Sequence, residues 1–306
     1  MPKYKYDNSP DKKGKLKHSH LLDFYDTSEF KKLTGTSSVV NVLHKPLSWW
    51  AASETVKTLG WIHPKIKKNG REVGLVPDKE RKKAAQSVYN SIKKESLTQY
   101  VARLDAAYKA HDKSLDDSAK AGTDLHALLE QYVKDCLKHE GNPAVGLGKD
   151  YIEKIMPFVD WSNMAVKEFI YSEVHCFHEG HWIGGISDAG AVLKKHIVET
   201  KDGQVEIPED TRVVIDFKSA KEAYSSSFIQ GAGYALQVEK NGLLDANGNQ
   251  IGKVDKPFDG VVIVPFGAEV VYPETRLKME EYKEAFIHCL ALYRTLGMDK
   301  SEYATH

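Results

Sequence analysis

Residues 1–33 are polar and lysine-rich and are expected to form a partly mobile arm, whereas the apolar positions that follow take up regular periods. Helical spacing covers 46–59 and 78–111, with a Gly- and Lys-containing loop from Lys65 to Pro77 between them. A further helix is expected over 123–138, opened by Thr123 or Asp124 as cap and ended by Gly141-Asn142-Pro143, and another over about 149–167. Three strands are then expected near 169–178, 182–193 and 211–218, followed by a helix over about 222–240 that Asn241-Gly242 terminates. Residues 194–212 separate two of these strands by more than a compact hairpin needs, and Asp202-Gly203 is a turn signal, so an extended inserted hairpin is expected there. Asn247-Gly248 marks a turn, 259–265 and 268–272 read as outer strands, and 275–296 as a closing helix. The order implies an α/β domain after a helical N-terminal lobe, with divisions at 1–33, 34–120 and 121–306.

The strand Val213-Val214-Ile215-Asp216-Phe217-Lys218 carries the first chemical signal. Side chains on a strand repeat with period two, so Asp216 and Lys218 share a face. Gly185-Ile186-Ser187-Asp188 places a second carboxylate on a neighbouring strand. Two carboxylates and an ammonium can hold a hard cation and orient a water for attack on a phosphodiester. Taken alone, an apolar strand ending in Asp-x-Lys usually marks only an edge leaving the core. Three further features strengthen the chemical reading. His126 and Glu130 share a helix face at i, i+4, as do Gln230 and Tyr234, and Glu173 opens the strand before Asp188. Glu130 reads equally well as a solvent-facing helical residue, and Gln230 and Tyr234 as core contacts.

In this order and spacing, Gly122 to His126, Gly185 to Asp188, Asp216 to Lys218 and Gln230 to Tyr234 resemble the Gly-x-x-x-His, Gly-x-x-Asp, Asp-x-Lys and Gln-x-x-x-Tyr motifs of the RecB-like branch of the PD-(D/E)XK nuclease superfamily. The run Thr34-Gly35-Thr36-Ser37-Ser38-Val39-Val40, with Lys45-Pro46-Leu47 and Trp49-Trp50-Ala51-Ala52, is more loosely similar to exonucleases of phages and of mitochondrial genome maintenance. The resemblance implies a restriction-endonuclease-like core, a central mixed sheet flanked by helices, beside the helical lobe. It implies Mg²⁺ or Mn²⁺ held by His126, Asp188, Asp216 and the carbonyl of Phe217, with Lys218 placing the attacking water. Gln230 and Tyr234 would support the site or touch the strand, and Glu173 is a further acidic candidate. The implied activity is DNA exonuclease action on single-stranded ends, with a protein partner in recombination or replication. An endonuclease of the same superfamily and a non-catalytic DNA-binding or assembly protein are the alternatives.

Composition adds three constraints. Zero formal net charge conceals 24 Lys+Arg against 14 Asp+Glu in residues 1–120, and 19 against 29 in the remainder. The basic half, densest at Lys65, Lys67, Lys68, Arg71, Lys79, Arg81, Lys82 and Lys83 with Trp61 and His63 before it, is the expected DNA face. A solvated helix face is the plain reading of such a run. Cys136, Cys176 and Cys289 are too few for the four-cysteine iron-sulfur cluster of some relatives, so none is expected. No apolar run has the length of a membrane span and the opening lacks a signal-peptide core, which implies a cytoplasmic protein without a membrane partner. Trp49 and Trp50 are expected to anchor the lobe, and His175, His178 and His181 to line a solvated strand face rather than a zinc site.

Overall fold

The computed structural model describes residues 2–12, 14–43, 47–68, 71–143, 149–200, 203–266 and 270–301, with side chains described except at 47–51, 67–68, 71–73, 111–123, 149–152 and 200. In chain order the elements are β1 (Lys3–Asp7), β2 (Ser19–Asp23), β3 (Lys31–Lys32), β4 (Thr34–Gly35), α1 (Thr36–Val39) with a 3₁₀ turn (Val40–Val42), and α2 (Leu47–Lys57). Then follow β5 (Lys65–Lys68), β6 (Arg71–Leu75), α3 (Asp78–Ile92), α4 (Leu97–Tyr108), α5 (Ala110–Leu137) and α6 (Lys149–Ala165). The strands β7 (Val166–His178), β8 (Ile183–Leu193), β9 (His196–Thr200), β10 (Gly203–Ile207) and β11 (Thr211–Lys218) lead into α7 (Ser225–Asn241). Last come β12 (Leu243–Leu244), β13 (Gln250–Gly252), β14 (Gly260–Pro265), β15 (Glu274–Arg276) and α8 (Met279–Thr295).

Two compact units result: Met1–Leu43 with Leu125–His306, and His44–Asp124. The first is mixed α/β. Its central sheet runs β13-β12-β7-β8-β11-β14-β15, and β4 adds to β8. β11 and β14 are parallel, with α7 as their crossover, while β7, β8 and β11 are antiparallel neighbours. Apolar positions of α5 at 125, 129, 132, 133 and 136 and of α6 at 155, 158, 159 and 161 have helical spacing and cover one face through Val213, Ile215 and Phe217. Phe228, Ala232, Ala235 and Val238 of α7 cover the other through Val214, Val261 and Ile263. The even and odd positions of β11 thus face opposite layers, as a strand buried on both sides requires.

One edge of β8 is shared by two partners. β7 pairs with it from Ile183 to Leu193 on one side. On the other, β11 pairs only from Ala189 onward and β4 only at Ile183 and Gly184. Gly185 to Asp188 therefore lies in a gap between β4 and β11.

Several expectations need correction. Residues 1–33 are not a loose arm: β1, β2 and β3 form a small antiparallel sheet, and Tyr4, Leu22 and Leu33 are buried with Phe177, Trp182 and Leu244. The chain also divides after 43 and 124 rather than at 33 and 120, because residues up to Leu43 pack with the sheet. The loop of 65–77 contains the hairpin β5–β6, and the single helix of 78–111 is two, α4 being started by a capping box between Ser96 and Gln99. Thr123 and Asp124 lie inside α5, which already runs from Ala110, so neither stands at its start. Glu173 lies midway along β7, not at its start. His175 is buried, held by Tyr4, not solvated. The expected outer strand 268–272 reduces, among described residues, to a bridge of Val270 with Phe266, and β15 begins at Glu274. The inserted hairpin is present as β9–β10.

Candidate active site

Lys218 and Asp216 meet at the C-terminal end of β11 as alternation requires, the ammonium donating to Asp216 Oδ1 at 3.0 Å. Oδ2 lies 2.8 Å from the same nitrogen, outside hydrogen-bonding alignment, and is a buried oxygen with no hydrogen bond. Asp216 is 1% exposed. Burial pushes its carboxyl up to about 6; Lys218 pulls it down, and the neighbouring Asp188 charge raises it. Asp188 occupies the gap in the β8 edge, where its Oδ2 accepts the backbone N–H of Phe217 at 2.7 Å. That bond ties the two carboxylate strands together beyond their last ladder pair, Ile215 with Ala189.

His126 reaches the same place from α5. Its Nε2 is 3.5 Å from Asp188 Oδ1 and its Nδ1 4.0 Å from Glu130 Oε2, one turn further along the helix. The ring meets Phe217 edge-on at 5.5 Å. Burial lowers the affinity of this imidazole for a proton, but Asp188, Glu130 and Asp216 outweigh it and hold the group above its ordinary value. Glu130 bonds to Lys134, which also donates to Glu173 at 2.9 Å. Glu173 falls between the ladder pairs Ser172–Ala189 and Val174–Ser187, at the level of Asp188, with φ +46°. A positive φ in a non-glycine strand residue is costly and is held here by the surrounding pairing. Burial, and then the contact with Glu173, raises the Glu130 carboxyl, while Glu130 and Lys134 lower that of Glu173.

From the opposite layer, Gln230 donates to Tyr234 Oη at 2.8 Å, both being buried on α7. Burial raises the phenol well above its usual range, and the Asp216 and Asp188 charges add to it. The Tyr234 ring lies on Gly185, where a Cβ would come within 2.6 Å of Cε1. Gly185 is required by that close approach. His126, Asp188, Asp216, Phe217, Lys218, Gln230 and Tyr234 are thus brought to one end of β11. Lys134 joins them through Glu130, while Thr36 and Gln237, bonded to each other at 2.7 Å, lie beyond the gap at Gly184; spacing hints only at Gln237, seven residues after Gln230.

The donor chemistry suits a hard cation: two carboxylates, one with a buried oxygen that accepts no hydrogen bond, beside an imidazole. Among the described residues, no group of three or more His, Cys, Asp or Glu is placed so as to hold a metal ion.

The basic candidates lie in the second unit. Lys65 and Lys83 are exposed, Lys82 pairs with Asp78 at 3.0 Å, and Arg81 donates to the Ile62 carbonyl. The side chains of Lys67, Lys68, Arg71, Trp49 and Trp50 lie outside those described. No buried residue occurs on α3, so its cations are carried by a solvated face. No described helix is long and apolar enough to cross a membrane.

The chain matches no protein-family model, and no curated protein matches it.

Proposed function

We propose that this chain is a Mg²⁺- or Mn²⁺-dependent deoxyribonuclease with a PD-(D/E)XK core of the RecB-like kind, acting as an exonuclease on single-stranded DNA ends. One observation carries the reading: the Asp216–Lys218 pair at the end of β11, with Asp188 bonded across the strand gap to Phe217 and His126 closing the side. Asp188, Asp216, His126 and the Phe217 carbonyl would hold the cation, which when bound polarises a phosphate and acidifies a water. Lys218 retains a donor beyond Asp216 with which to orient a water and offset charge developing on phosphate. Phe217 N–H fixes Asp188, and Glu130 orients the His126 ring from behind. Gln230 directs the Tyr234 hydroxyl, which can donate to a phosphate or base. The cations of α3 supply strand affinity.

The test is digestion of end-labelled linear and circular single-stranded DNA with Mg²⁺, Mn²⁺ or EDTA, with Asp216→Asn as control. Metal-dependent loss of linear DNA alone, abolished in the variant, is expected. Cutting of circles makes the enzyme an endonuclease. DNA binding with no cutting under any metal makes the chain a binding protein.

A further inference from the structure

The mechanism leaves unused a fully buried polar cluster on the far side of the β8 gap. Thr36, 1% exposed at the start of α1, donates from Oγ1 to the Gly184 carbonyl at 3.0 Å and accepts from Gln237 Nε2 at 2.7 Å. Gln237, with no exposed surface, also donates to the Gly233 carbonyl at 2.8 Å, and its Oε1 faces the Cys176 thiol at 3.7 Å. Thr36 therefore joins β8 to α7 at Gly184, the last residue paired with β4 before the gap. A Cβ placed on Gly185 would meet Tyr234 Cε1 at 2.6 Å and Thr36 Oγ1 at 2.8 Å, so the hydroxyl and the ring press on the same backbone face. Gln237 is one helical turn beyond Tyr234. The C-terminal turn of α7 is tied separately, Asn241 donating to the Phe177 carbonyl at 3.0 Å and Glu239 accepting from the Phe258 N–H at 2.9 Å, while beside Tyr234 the helix is seated by close packing: a Cβ on Gly231 would strike Val261 at 2.5 Å, and one on Gly233 the Phe286 ring at 2.5 Å. Those contacts fix its depth but carry no direction along the strand, whereas hydrogen bonds do.

We infer that Thr36, acting through Gln237 and the Gly185 surface, is a positioning residue that sets where Tyr234 presents its hydroxyl to the Asp188–Asp216 site. This rests on the nuclease reading for its kinetic consequence but not for its structural one. Ser keeps the hydroxyl and Val keeps the shape, so the pair separates bonding from packing.

The experiment uses the full chain with 3-fluorotyrosine at position 234, read by ¹⁹F NMR, alongside steady-state cleavage of single-stranded DNA. Thr36→Val should move or broaden the resonance and lower kcat about tenfold, with KM held within about twofold, since small misplacements of reacting groups have large rate effects. Thr36→Ser should restore both. In the double variant with Tyr234→Phe, the Val substitution should cost nothing further. If Thr36→Val fails to fold, Gln237→Met interrogates the same hydrogen bond from α7 with the same expected signature. Wild-type resonance and kcat in the folded variant, or rate losses that multiply with Tyr234→Phe, overturn the inference. Should the wild type cut no DNA, the nuclease reading falls, and the resonance still decides the positioning claim.

Discussion

Replacing Asp216 by Asn should make the metal-free protein more stable at pH 8, not less. The carboxyl is 1% exposed and is pushed up to about 6 in the folded chain, against 3.8 ordinarily. Between these values the folded chain holds a proton that the unfolded chain has lost, so stability falls as pH rises through that window. Above it the full penalty of about 3 kcal/mol is present, and below about pH 4 it is absent. The value of about 6 already contains the pull of Lys218, and Asn resembles the protonated carboxyl in lacking the charge, so it removes that penalty without a further loss. The gain is about 3 kcal/mol, or about 7 °C in Tm. Thermal unfolding in EDTA at pH 4.5 and pH 8 measures it, and repetition with Mn²⁺ should reverse the order by stabilising only the wild type. A variant less stable than wild type at pH 8 in EDTA, or an equal gain at both pH values, would refute the reasoning.

Lys218→Met should lower single-turnover cleavage by about 10²–10³-fold while DNA affinity stays within a few-fold; unchanged turnover with weakened binding would make Lys218 a phosphate ligand instead. Replacing Lys67, Lys68, Arg81, Lys82 and Lys83 by Ala should weaken single-stranded DNA binding and flatten its salt dependence by about 0.7 in slope for each phosphate no longer neutralised, measured by titration across salt concentrations. An unchanged slope would leave these cations as solvated surface only. At the N-terminal sheet, burial lowers His20 from 6.5 to about 3, with His175 and His18 adding to the effect, so the unfolded chain takes up a proton first and stability falls on acidification below pH 6.5. His20→Phe should remove about 2 kcal/mol of the loss between pH 6.5 and pH 5 in urea denaturation, and an unaltered pH slope would count against it.

Residues 213–218 and 225–241 are legible in the sequence because buried strands and a two-sided helix leave strong periods, and Asp216 with Lys218 follows from alternation alone. The N-terminal sheet is obscured by its lysines, although Lys3-Tyr4-Lys5-Tyr6 does alternate and Tyr4 is the buried member. Long aliphatic stems on the exposed positions read as polarity when only charge is weighed. The start of α5 is hidden because Thr123 and Asp124 are good caps in isolation, yet the helix already runs from Ala110. Glu173 resists placement because its left-handed backbone conformation is imposed by pairing with β8, which no local pattern encodes. Nothing local singles out Thr36 in the run from Thr34 to Val40; its bond to Gln237 spans 201 residues.

The gap in β8 also bears on when the protein matures. Its flank is made by Thr34 and Gly35, yet Thr34 Oγ1 donates to Asp299 at 2.8 Å, and Arg294 binds that carboxylate and the His181 carbonyl. A segment translated early is therefore latched by one translated 265 residues later. A nascent chain cannot complete this corner before synthesis has passed Asp299, so this flank of the gap is closed late, and a product ending short of Asp299 lacks its latch.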